Sequence, residues 1–181
     1  MIFHEKTIKS EQIFKGQILT MRVDTVAMPD GRTATREIVD HSGGVCVVPV
    51  TDGGEVIMVR QFRKAVEREV LEIPAGKLNS GEDHYDCGVR ELEEETGYKS
   101  DNIVYLGHVF PTPGFANETI HIYLATNLHK GEANLDTDEY LDVEKLPLDA
   151  VVDMIMKNEI NDSKTVAGIF KAREYLWKNE R

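Results

Sequence analysis

The rhythm of apolar and polar positions changes several times along the chain, and each change predicts an element. Val45 to Val50 is almost unbroken apolar sequence, which predicts a central strand buried on both faces. Glu55 to Phe62, Ile103 to Phe110 and Glu118 to Ala125 predict further strands, and Glu67 to Ile73 alternates acid and apolar residues as a half-buried strand does. From Asp83 the period lengthens. Tyr85, Val89 and Leu92 recur at spacings of three and four, predicting a helix with Val89 and Leu92 in the core and its acids at the edge. Gly97 stands where a left-handed C-cap ends such a helix. Asn127 to Asp138 reads as a polar connection and Tyr140 to Leu146 as a short last strand. Leu148 to Lys157 and Ser163 to Trp177 predict two more helices, the second capped by Asp162.

Ahead of these elements lies a smaller pattern. Ile13 to Met28 contains alternating apolar positions, Pro29-Asp30-Gly31 is a turn, and Thr33 to Val39 pairs back as a hairpin arm. About three strands cannot bury much alone, so this unit is expected to pack on the main domain, on a second subunit, or on both. His41-Ser42-Gly43-Gly44 marks the boundary, giving an N-terminal β unit over 1–41 and a main domain over 42–181. Strands alternating with helices in the main domain predict an α/β fold with a mixed sheet between helices.

Composition narrows the function. With 32 acids against 21 Lys and Arg, the net charge is −11, which disfavours nonspecific binding to nucleic acid or anionic membrane. Cys46 and Cys87 sit in apolar or helical context without metal-binding spacing and read as buried free thiols. The first residues lack the apolar segment of a signal peptide and no run approaches membrane-spanning length, so the expected compartment is the cytoplasm.

The informative stretch runs from Gly76 to Tyr98. On its helix Glu91, Glu94 and Glu95 stand at i, i+3 and i+4, so three mutually repelling carboxylates project from one side. Oxygen donors gathered this way suit a hard divalent cation such as Mg²⁺ or Mn²⁺, the alternative being a solvated acidic face. The full stretch reads Gly76, five residues, Glu82, seven residues, then Arg90-Glu91-Leu92-x-Glu94-Glu95-x-Gly97-Tyr98. This resembles the Nudix box at every specified position, with Tyr98 at the bulky apolar last one.

The resemblance implies an α/β/α sandwich and hydrolysis of a nucleoside diphosphate linked to another moiety. It implies that Glu91, Glu94 and Glu95 ligate metal, with the Ala75 carbonyl completing a site. Gly76, Glu82, Arg90 and Gly97 take structural roles, Arg90 bridging the acids with its donor fork. His84 is expected at the surface.

Outside the box, Arg36-Glu37, Gln61-Phe62-Arg63, Glu72-Ile73-Pro74-Ala75-Gly76 and Pro111-Thr112-Pro113-Gly114-Phe115 resemble the ADP-ribose pyrophosphatase subfamily. That implies Mg²⁺-dependent cleavage of ADP-ribose to AMP and ribose 5-phosphate, in a homodimer. Arg63 is the candidate phosphate clamp, or else a surface arginine. Arg36 and Glu37 are candidates for the adenine surroundings, or else a cross-strand surface pair. Gly114, Phe115 and Glu118 are candidates for the same pocket. Glu139 is the candidate base, with Asp138 and Asp136 as neighbours that could substitute. Rival readings are a pyrophosphatase for another sugar nucleotide such as GDP-mannose or UDP-glucose, cleavage of diadenosine polyphosphates or dNTPs, and a non-catalytic nucleotide sensor. The intact box acids and the lack of a basic segment argue against the sensor.

Overall fold

The computed structural model describes residues 4–135 and 140–179, which form two compact units. The first comprises the chain through Gly43 together with Phe110–Thr119. Its strands β1 (Lys6–Lys15), β2 (Leu19–Ala27) and β3 (Thr33–His41) form an antiparallel sheet in that order. The β2–β3 turn closes as its sequence implies: Gly31 takes a φ of 86° and the Met28 N–H donates to the Arg32 carbonyl at 2.8 Å. The 110–119 loop runs beside β3, where the Val39 N–H donates to the Phe115 carbonyl and the Asn117 N–H to that of Val39.

The second unit, Gly44–Val109 with Ile120–Arg181, carries the remaining strands and three helices. Its strands are β4 (Gly44–Pro49), β5 (Glu55–Arg63), β6 (Arg68–Glu72), β7 (Ala75–Lys77), β8 (Tyr98–Val109), β9 (Ile120–Lys130) and β10 (Leu141–Pro147). The helices are α1 (His84–Thr96), α2 (Leu148–Met156) and α3 (Ser163–Asn179). One sheet has the order β7-β4-β9-β8, with β4 and β9 parallel and the other pairs antiparallel; a second, antiparallel sheet has the order β10-β5-β6.

β4 is buried along its whole length, as its apolar run requires, and its two faces serve different helices. Cys46 and Val48 pack in one cluster with Ile169 and Ala172 of α3, while Val45 and Val47 pack in another with Cys87 and Leu92 of α1. Helix, mixed sheet and helix therefore stack as an α/β/α sandwich. Both cysteines are buried free thiols, and burial pushes each thiol up to about 12.

Three elements differ from what the pattern implies. Val89 and Tyr85 are exposed, and the buried side of α1 is instead Cys87, Gly88, Glu91, Leu92, Glu95 and Thr96. Small residues decide this: a Cβ on Gly88 would come within 3.1 Å of Val45, so the helix lies on β4 by the face that allows the closest approach. That rotation also draws two of the three box acids inward. Second, β8 and β9 extend well past their apolar cores, Tyr98 pairing with Lys130 as a polar ribbon that leaves no apolar signature. Third, Glu72 on β6 is buried although an alternating strand would turn its acid to solvent.

Candidate active site

The lead-in to α1 is built by short hydrogen bonds. The Val47 N–H donates to the Pro74 carbonyl at 2.9 Å, and the Ala75 N–H donates to Glu95 Oε2 at 2.9 Å. Strand β7 is thus tied both to the central strand and to an acid of the helix. Gly76 is required by crowding, because a Cβ there would overlap the Glu91 carboxylate. The Asn79 N–H donates to Glu82 Oε2, closing the loop, and the Asp83 side chain caps α1 by accepting from the Tyr85 N–H at 2.8 Å. At the other end Gly97 has a φ of 70° and its N–H donates to the Glu93 carbonyl, ending the helix as the sequence implies.

Arg90 stands among the acids. Its Nε lies 3.0 Å from Glu82 Oε1, and its Nη1 lies 2.6 Å from Glu94 and 2.8 Å from Glu91. One guanidinium thereby holds three carboxylates that would otherwise repel, with Glu82 above all, and Glu94 and Glu91 behind it, raising the arginine well beyond its ordinary range. Glu93 points elsewhere, to Lys99 at 2.9 Å.

The acids fit a divalent metal by donor chemistry. Glu91 and Glu95 are buried, Glu94 is half-buried beside them, and every donor is an oxygen. Among the described residues no three His, Cys, Asp or Glu side chains are gathered at metal-binding distance. Glu91 and Glu94 lie against Arg90, and Glu95 takes the Ala75 N–H.

Arg63 ends β5 and is not a loose surface arginine. Its Nε and Nη2 fork onto Glu72 at 2.6 and 2.8 Å, and the charges of Glu95 and Asp162 also act on it. Glu72 in turn accepts from the buried Lys164 ammonium, which also reaches Asp162 at 3.0 Å. Glu72 belongs to the Glu72–Gly76 segment that the resemblance covers, but no sequence pattern joins it to Lys164, 92 residues away.

The other candidates belong to the first unit. Arg36 forks onto Glu5 at 2.9 and 2.5 Å, and Glu37 is exposed on β3 opposite Val23. Gly114 and Phe115 are exposed in the 110–119 loop, and Glu118 lies 3.5 Å from His41. Glu139, the candidate base, lies outside the described residues, as do Asp136 and Asp138. His84 corrects the surface expectation. It stacks on His121 with ring centroids 4.0 Å apart and bonds the Tyr123 hydroxyl, because α1 begins over β9, whose alternate residues present those rings.

An acid-bearing helix with a glycine lead-in is thus mounted on a mixed sheet inside an α/β/α sandwich. Comparison with known proteins identifies the chain. Residues 40–168 match the NUDIX domain model and residues 5–39 the nucleoside diphosphate sugar hydrolase N-terminal domain. The chain belongs to the Nudix hydrolase family, whose members generally need a divalent metal ion. It is 47% identical over 93% of its length to a methanol dehydrogenase activator from Bacillus methanolicus, covering 92% of that protein. It is 43% identical over 91% of its length to an ADP-ribose pyrophosphatase from Bacillus subtilis, covering 90% of it. The solved structure of an ADP compounds hydrolase shares the fold, with a TM-score of 0.86 and 22% identity over 97% of this chain and 95% of that one.

Proposed function

We propose that this enzyme hydrolyses the diphosphate of ADP-ribose to AMP and ribose 5-phosphate with Mg²⁺. The observation that carries the reading is the box itself, with Glu91 and Glu94 on the Arg90 guanidinium and the buried Glu95 on the Ala75 N–H, while Arg63 at the end of β5 is held by Glu72. The similarity to an ADP-ribose pyrophosphatase along nearly the whole chain supports the choice of substrate.

Glu91, Glu94 and Glu95, with the Ala75 carbonyl, are the groups that would hold Mg²⁺, and Mn²⁺ could replace it. When bound, the ion offsets diphosphate charge and lowers the pKa of a water. Arg63 presents the edge of its guanidinium not used by Glu72 to the phosphate oxygens. Glu139 takes a proton from the attacking water as its oxygen bonds to one phosphorus; the bridging P–O bond breaks, and the other phosphate leaves with the electron pair. Arg90, Glu82, Gly76 and Gly97 keep the acids in place. Arg36, Glu37, Gly114, Phe115 and Glu118 are assigned to the nucleotide and its ribose.

A panel of ADP-ribose, GDP-mannose, UDP-glucose, NADH and dGTP, each with Mg²⁺ and resolved by chromatography, tests the substrate. ADP-ribose is expected to show the highest kcat/KM, with AMP and ribose 5-phosphate as products. A higher value for GDP-mannose or UDP-glucose would move the assignment to that sugar nucleotide.

The N-terminal unit is assigned to homodimerisation. Its outer strand β1 is exposed throughout, and Ile8, Ile13, Phe14 and Ile18 are each more than half exposed, a load of apolar surface that a second copy would cover. Size-exclusion chromatography with light scattering should give twice the 20.4 kDa chain mass. A mass equal to one chain would rule the dimer out.

A further inference from the structure

Two buried charges lie behind Arg63, and stability alone does not explain them. Glu72 is 1% exposed in a strand segment whose neighbours Leu71 and Ile73 are core residues, and Lys164 is 9% exposed at the start of α3. Taking such a pair out of water costs more than an apolar pair of the same volume would, so a buried ion pair is weak evidence for stabilisation. What the pair does geometrically is specific. Glu72 offers Oε1 and Oε2 to Nε and Nη2 of Arg63, while the Lys164 ammonium holds Oε2 from behind.

Lys164 is itself fixed. Asp162 Oδ2 accepts from Lys164 Nζ at 3.0 Å, from the Thr165 N–H at 3.0 Å and from the Thr165 hydroxyl at 2.7 Å. Thr165 Oγ1 then accepts from the Ile73 N–H at 3.0 Å, so both the side chain of residue 72 and the backbone of residue 73 are pinned to one helical turn. Two residues later comes Ala75, whose N–H is on Glu95. The first turn of α3 therefore sets the positions of the arginine and of a box acid together.

We infer that Lys164, acting through Glu72, is a positioning residue that fixes the Arg63 guanidinium edge-on to the substrate diphosphate. This rests on the reading of Arg63 as the phosphate clamp. An unheld arginine loses many rotamers on binding a phosphate; one already forked onto a fixed carboxylate loses few, so the order built into α3 is recovered as substrate affinity. The ligand class that benefits is one with adjacent phosphoryl oxygens matching the free edge of the fork.

A double-mutant cycle tests this with the full-length enzyme: wild type, Arg63→Ala, Lys164→Met and the double variant, each measured for kcat and KM on the best substrate of the panel. Arg63→Ala is expected to lower kcat/KM about a hundredfold, as loss of a charged clamp does. Lys164→Met is expected to lower it about tenfold, mainly through KM, when Arg63 is present, and less than about twofold when residue 63 is alanine. Equal losses in both backgrounds would mean that Lys164 only supports the fold and would overturn the inference. An Arg63→Ala enzyme with unchanged kcat/KM would instead overturn the clamp itself. Where Lys164→Met does not fold, Glu72→Gln, which keeps the volume and removes the charge, takes its place in the cycle. A loss confined to the Arg63 background then supports the inference, and equal losses in both backgrounds overturn it.

Discussion

Glu95→Gln should lower kcat about a thousandfold, roughly 4 kcal/mol in the barrier, while leaving the folded enzyme intact. The two halves of that expectation have separate causes. Glutamine keeps an oxygen that can accept the Ala75 N–H, so the bond tying β7 to α1 at 2.9 Å survives and the lead-in stays docked. What is lost is the negative charge, and an amide oxygen is a much poorer ligand for a hard divalent ion than a carboxylate. Steady-state turnover with saturating Mg²⁺, together with thermal unfolding, checks both halves. Near-wild-type turnover in a normally folded variant would remove Glu95 from the metal set.

Gly76→Ala should be the most damaging of the small substitutions. The added methyl would overlap the Glu91 carboxylate, which is held on its other side by Arg90 at 2.8 Å and is largely buried. The conflict can be relieved only by moving β7, which is paired to the central strand, or by swinging Glu91 away from its neighbours. Overpacking of this kind costs about 1–3 kcal/mol, and a displacement of about 1 Å at a catalytic group can cost about a hundredfold in rate. The variant should therefore melt roughly 5 °C lower and lose about a hundredfold in kcat/KM. Gly53→Ala is the control, since a Cβ there meets only the Thr51 hydroxyl at 3.7 Å, and it should behave as wild type. If Gly76→Ala matched that control, the close packing of lead-in and acid would not matter to catalysis.

How far the sequence speaks for the site depends on how local the information is. The Gly76–Tyr98 spacing and the Gly97 C-cap are local, and the C-cap forms as its chemistry dictates. The apolar run of β4 is equally legible, because a strand covered on both faces has no polar positions to hide it. The rotation of α1 is not. Periodicity ranks Val89 above Gly88 as a core residue, but packing onto β4 favours whichever face lets the backbones approach, and that depends on the partner strand. The pairing of Tyr98–Asn102 with Thr126–Lys130 is hard to read because its residues are mostly polar, and Leu128 alone of the second arm packs against the core cluster.

Glu72 is the most instructive case. Its neighbourhood reads as a half-buried strand with acids outward, yet it is drawn inward by Lys164 from a helix far along the chain. No single-sequence pattern encodes that partnership. The stack of His84 on His121 and Tyr105 is non-local in the same way, joining the start of α1 to β8 and β9. Arg36 and Glu37 show the reverse: adjacent in sequence, they part company, one forked onto Glu5 and the other exposed on β3.

In the proposed reaction the box acids serve a divalent ion without which the diphosphate is not cleaved. Release of AMP from ADP-ribose, followed in EDTA-treated enzyme before and after addition of Mg²⁺, measures this most directly. No detectable AMP is expected in EDTA, with recovery of turnover once Mg²⁺ exceeds the chelator. AMP release that persists unchanged in EDTA would contradict a metal role for these acids.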